Sequence, residues 1–154
     1  MATWQFDICF VPANSVAGNP LSDDELEDLR NLEKLKIHRA SLNVLIGQLV
    51  PADSWNKDLE IYGQMDGDRI DVSYEGGIVS ELMVRIDVRS VDKGLIQRLA
   101  GFAEHNQLAI IDLEKWVPIG AHARSLLAAI LNSNAREFAI DPETFLEGFT
   151  AAKH

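Results

Sequence analysis

An intramolecular disulfide is closed to this chain, because Cys9 is its only cysteine. That excludes a small secreted scaffold held by disulfides. Long apolar runs are missing as well: no stretch approaches the roughly 20 residues that a membrane-spanning helix needs. The opening Met1-Ala2-Thr3-Trp4-Gln5 lacks the basic stretch of a secretory signal. An intracellular, cytoplasmic protein is expected. Positive charge is scarce. Against 24 Asp and Glu stand 14 Lys and Arg, a formal net charge of −10. Nucleic acid and anionic membranes would repel such a chain, so neither is expected as a partner. A basic protein fits the sign of the charge, and plain solubility is the simpler account of it.

Catalytic and cofactor signatures are also absent. There is no G-x-S-x-G elbow, no G-x-x-x-x-G-K loop and no G-x-G-x-x-G turn. His38, His105, His122 and His154 show no H-E-x-x-H spacing, and no second cysteine completes a zinc pattern. Asp66, Asp68 and Asp71 miss the calcium-loop pattern, because glycine stands second and isoleucine fifth in D-G-D-R-I-D. Turn-forming aspartates explain them more simply. Cys9, between Ile8 and Phe10, reads as an inert, partly buried thiol. No catalytic residue, metal or cofactor is therefore assigned.

What remains is pattern. Trp4, Phe6, Ile8 and Phe10 alternate with Gln5, Asp7, Cys9 and Val11, a half-buried strand ended by Pro12. Ser22-Asp23-Asp24-Glu25 reads as a capping box that opens a helix near Asp23. Pro51 is its furthest stop, and Asn43 and Gly47 weaken the second half. Leu59, Ile61, Gly63 and Met65 then alternate up to Asp66-Gly67, a dipeptide favoured in two-residue type I′ turns. That turn predicts Gly63 opposite Ile70, Ile61 opposite Val72 and Leu59 opposite Tyr74. The third strand carries Leu82, Val84, Ile86 and Val88. A two-residue Gly76-Gly77 loop alone would put its apolar face out of phase. A bulged turn at Glu75–Gly77, or a bulge inside the third strand, is therefore required.

Beyond Ser90, helical spacing runs to about Asn106, a short strand spans Leu108–Leu113, and a helix runs from about Ala123 to Asn132. Asp141-Pro142 opens a last helix. The expectation is one α+β domain over residues 1–154: an antiparallel β-sheet with helices packed on one face. The order is ferredoxin-like, β-α-β-β-β-α-β, plus C-terminal helices. Those C-terminal helices are candidates to cover the second sheet face or to pair in a homodimer.

On that second face the pattern places Glu60, Tyr62 and Gln64, then Arg69, Asp71 and Ser73, then Glu81, Met83, Arg85, Asp87 and Arg89. Tyr62, Asp71, Arg85, Asp87 and Arg89, with Asp66 and Asp68 at the turn, form the candidate binding set. A solvated face with cross-strand ion pairs is the plain alternative. The favoured function is a non-enzymatic protein-binding module, an adaptor or immunity-type protein for a basic partner. It would meet that partner through an acidic helix (Asp23, Asp24, Glu25, Glu27, Asp28) and an acidic hairpin (Glu60, Asp66, Asp68, Asp71). The alternative is a small-molecule sensor or enzyme, with Arg85 and Arg89 on an anionic group and Asp7, Asp87 or Tyr62 moving a proton. A homodimer is the third reading. Trp55 and Trp116 fall in predicted loops and are expected as loop anchors, with a role as interface aromatics ranked second.

Overall fold

The computed structural model describes residues 3–13, 35 and 37–140. The acidic helix expected from Asp23 and the helix expected from Asp141 lie outside the described residues. Strand β1 is Gln5–Pro12, β2 is Ile37–His38, and a 3₁₀ turn over Arg39–Ser41 leads into helix α1, Leu42–Ile46. Then come β3 (Pro51–Ala52), β4 (Leu59–Gly63), β5 (Arg69–Glu75), β6 (Ile78–Asp87), α2 (Lys93–His105), β7 (Leu108–Asp112), β8 (Val117–Ile119), α3 (Ala123–Leu131) and α4 (Asn134–Ile140). The architecture is α+β, with an antiparallel eight-stranded sheet and, among the described residues, four α-helices.

The strand order is β3-β4-β5-β6-β1-β7-β8, with β2 paired to the remaining length of β6. This differs from the ferredoxin-like order expected, since the short strands β2, β3 and β8 are added to the five anticipated. A helix running unbroken towards Pro51 is also ruled out. Ile37 and His38 are extended and pair with Val79 and Ile78, and α1 ends at Gly47 with φ +58.

One sheet face and the helices share a core. Phe6, Ile8 and Phe10 of β1 meet Leu82, Val84 and Ile86 of β6, Ile70 and Val72 of β5, and Leu99 and Phe102 of α2. Phe10 and Phe102 meet edge to face at 5.7 Å, the arrangement aromatic quadrupoles favour. Asp92 caps α2 by accepting from the amides of Gly94 and Leu95. Leu126 and Ile130 of α3 and Ala135 of α4 belong to the same core. The described C-terminal helices thus pack on the first face and leave the second face to other cover. Helix α4 was not anticipated after Asn132. Its N-terminal amides on Asn134 and Ala135, which have no partner within the helix, donate to the Glu114 carboxylate, a cap supplied from 20 residues away.

The meander register corrects one expectation and resolves another. Gly63 lies opposite Arg69, Tyr62 opposite Ile70, and Ile61 opposite Asp71, one residue away from the pairing a two-residue Asp66-Gly67 loop would give. Neither Asp66 nor Gly67 adopts the positive φ of a type I′ turn. The closing bonds run instead from the Gln64 amide to Asp68 O (3.0 Å) and from the Gly67 amide to Gln64 O (3.2 Å). Gly63 absorbs the change with φ +104, where a Cβ would sit 2.1 Å from Asp68 O. The second turn does hold two residues, Gly76 and Gly77, with φ +61 and +79. The phase is restored by a bulge inside β6: Ser73 pairs with Glu81 and Tyr74 with Val79, leaving Ser80 as the extra residue. Val79 and Leu82 can then both face the core.

Candidate functional site

The one-residue shift in β4 exchanges the two faces of that strand. Tyr62 joins the core, and its hydroxyl donates to Glu60, which also pairs with Arg39 at 2.9 Å. Arg39 lies over the Tyr74 ring at 5.7 Å. Burial, with the Glu60 charge behind it, raises Tyr62 and pushes Tyr74 up to about 12. Tyr62 therefore leaves the candidate set, because it faces the helices rather than the second face. Ile61 takes its place opposite Asp71 and is buried there.

Asp66, Asp68, Asp87 and Arg89 form a closed cluster at the Gln64–Asp68 end. Arg89 grips Asp87 with two bonds of 3.0 and 2.9 Å, reaches Asp66 O at 3.2 Å, and lies 4.3 Å from the Trp4 ring centroid. The Trp4 indole donates to Asp66 O at 2.7 Å. The Gln5 side chain donates to Met65 O and Gly67 O at 3.0 and 2.8 Å. The Asp68 carboxylate accepts from the Asp87 amide at 2.8 Å. Burial raises the Asp68 carboxyl above its ordinary value despite that bond. Burial would also raise Asp87, but the Arg89 side chain and amide pull it below the ordinary range. Asp68, Asp87 and Arg89 spend their side chains, and Asp66 its main-chain carbonyl, in docking the turn onto β1 and β6. They are construction.

Asp71 and Arg85 are different. Across β1, β6 and β5 run the paired positions Asp7, Arg85 and Arg69. Arg69, 3% exposed, holds Asp71 through two bonds of 2.6 and 3.0 Å and contacts the Met65 sulfur. Asp7 Oδ1 and Arg85 Nε are both buried and lack a hydrogen-bond partner. Burial raises the Asp7 carboxyl, and Arg85 opposes that rise without cancelling it. Unpaired buried polar atoms each carry a desolvation cost, so their presence side by side marks this row as unsatisfied by its own fold. The nearby Cys9 thiol is pushed up to about 11 by burial, with the Glu81 charge adding to it, which makes it a poor nucleophile.

Beside Arg85 a cavity of about 460 Å³ opens on this face. Its floor is Asp71 and Ser73 of β5 with Glu81, Met83 and Arg85 of β6. Its wall is the loop carrying Trp55, Asn56 and Asp58, with Leu59 and Tyr74 at the join. The wall is fixed by its own bonds. Ser54 Oγ donates to Asn56 O at 2.8 Å, and the Asp58 amide donates to Asn56 Oδ1 at 2.9 Å. The Tyr74 amide, next to the β6 bulge, donates to Asp58 O at 2.8 Å and ties the loop to the sheet. Trp55 is 75% exposed, so it stands over the cavity rather than anchoring its loop in the core.

Three carboxylates, Asp58, Asp71 and Glu81, thus line the cavity with one guanidinium, that of Arg85. The sequence pattern found Asp71, Arg85 and Glu81 on this face and ranked Trp55 first as a loop anchor, but missed Asp58. The Tyr74–Asp58 bond ties their loop to the sheet. Among the described residues no group of His, Cys, Asp and Glu side chains gathers as metal ligands, and no helix is long and apolar enough to cross a membrane. No family model matches the chain, and comparison with curated proteins and with solved structures finds no match.

Proposed function

We propose that the protein is a binding module that engages a basic protein partner through the second face of the meander, around the Trp55–Arg85 cavity. The observation that supports it most directly is the charge of that opening: two unpaired acids, Asp58 and Glu81, to one base, within a chain of net charge −10. Asp58 and Glu81 are exposed and make no ion pair among the described residues. An acidic surface of this kind accelerates encounter with a cationic partner and repels anions. That weighs against the alternative of an anionic small molecule held by Arg85 and Arg89. Arg89 is engaged with Asp87 and Trp4 away from the cavity, and an anion beside Arg85 would share the cavity with the unpaired carboxylates of Asp58 and Glu81.

Capture of partners from the native cell at low and at high salt tests the reading, followed by association kinetics with the purified partner. Association is expected to slow as salt rises and to slow further with Glu81→Lys and Asp58→Lys. A partner that is not basic, or one that associates equally fast at high salt, would overturn it. Sedimentation of the isolated chain tests the homodimer reading in the same preparation.

A further inference from the structure

The chemistry of the cavity narrows what part of a basic partner it takes. We infer that it seats one arginine side chain presented on an exposed segment of that partner, an inference that rests on the function proposed above. Three features carry it. First, the half-open cavity has a volume of about 460 Å³, within the range of small-ligand pockets and enough for a side chain and its neighbouring backbone.

Second, the arrangement suits a planar cation. Trp55 stands exposed at the wall and offers an indole face, the best of the aromatic partners for a cation. Asp58 and Glu81 supply carboxylate acceptors from the wall and the floor. Asp71 is already held by Arg69, which leaves these two as the acceptors for an incoming guanidinium. Arginine meets this better than lysine, because its planar fork can stack on the indole while donating sideways to carboxylates.

Third, Arg85 borders the cavity and makes no hydrogen bond or ion pair among the described residues. An incoming free cation would leave that guanidinium unanswered. A peptide segment would not, because a main-chain carbonyl beside the bound arginine can accept from it. The site therefore asks for a cation and an acceptor on one ligand, which an arginine within a polypeptide provides.

The test is a titration of the ¹⁵N-labelled full chain with acetyl-Gly-Arg-Gly-amide and with the same peptide carrying citrulline, the uncharged isostere. The Trp55 indole N–H and Arg85 Nε–H resonances are expected to shift and saturate with the arginine peptide and to stay in place with citrulline. Glu81→Gln combined with Asp58→Asn should weaken binding by about tenfold, equal to 1.4 kcal/mol. Both side chains lie on the surface, so an unchanged amide spectrum elsewhere verifies the fold. Equal shifts with both peptides, shifts confined to other surfaces, or no shift at all would overturn the inference. The two proposals fail separately. Salt-sensitive capture of a basic partner without arginine binding in the cavity removes the socket and keeps the module. Saturable arginine binding without a basic partner does the reverse.

Discussion

The two ends of the meander use the same residue types and reach opposite results. At the Gln64–Asp68 end, acids and a base are consumed internally: Arg89 by Asp87 and Trp4, Asp68 by the Asp87 amide, and the turn carbonyls by Trp4 and Gln5. At the cavity end, Glu81 and Asp58 stay exposed, and Arg85 and Asp7 keep buried polar atoms without partners. Charge on a sheet therefore does not by itself mark a site. The mark is charge that the fold leaves unanswered beside an opening, because a protein without use for such groups gains stability by pairing or replacing them.

Substitutions can break this contrast, and the largest effect belongs at the closed end. Gly63→Ala would drive a Cβ to 2.1 Å from Asp68 O, a main-chain atom that cannot step aside alone. Urea unfolding should show a loss of about 3 kcal/mol or more. Gln5→Met comes next. It removes the donors to Met65 O and Gly67 O, and the unpaired carbonyls should cost about 2 kcal/mol, with a change in Trp4 fluorescence as the turn loosens.

Gly77→Ala, in the other turn, should cost only about 1 kcal/mol. Its φ is +79, but a Cβ there would meet nothing within 4 Å, so backbone strain is the whole effect. The smallest effect has the opposite sign and sits beside the cavity. The folded protein raises the Asp7 carboxyl above its unfolded value, so Asp7 favours folding while protonated and loses that contribution as pH rises through its folded value. Asp7→Asn should therefore raise the unfolding midpoint at neutral pH, and the gain should shrink as pH falls into the acid range. Destabilisation at neutral pH would show that Asp7 is answered after all and would erase the contrast.

Legibility followed the range of the forces involved. The alternation of Phe6, Ile8 and Phe10, the helical spacing of Leu95, Ile96 and Leu99, and the need for one extra residue in the second hairpin are local matters of period and phase. The structure bears these out, with the bulge at Ser80. The first hairpin was misread because Asp66-Gly67 favours a two-residue turn locally, while Trp4, Gln5 and Arg89 hold a longer one from 23 to 62 residues away. That single-residue shift moved Tyr62 from the candidate site into the core. The site itself was half visible. Asp71, Arg85 and Glu81 follow from strand alternation, whereas Trp55 and Asp58 lie in a loop whose placement no periodicity encodes.

By itself the sequence determined an acidic α+β chain with an antiparallel meander, because side-chain period and charge are written residue by residue. Only the tertiary structure decided which of its charges are spent and which remain free. Whether Arg89 or Arg85 finds a partner depends on which turn, loop and strand arrive beside it, and those neighbours come from distant parts of the chain.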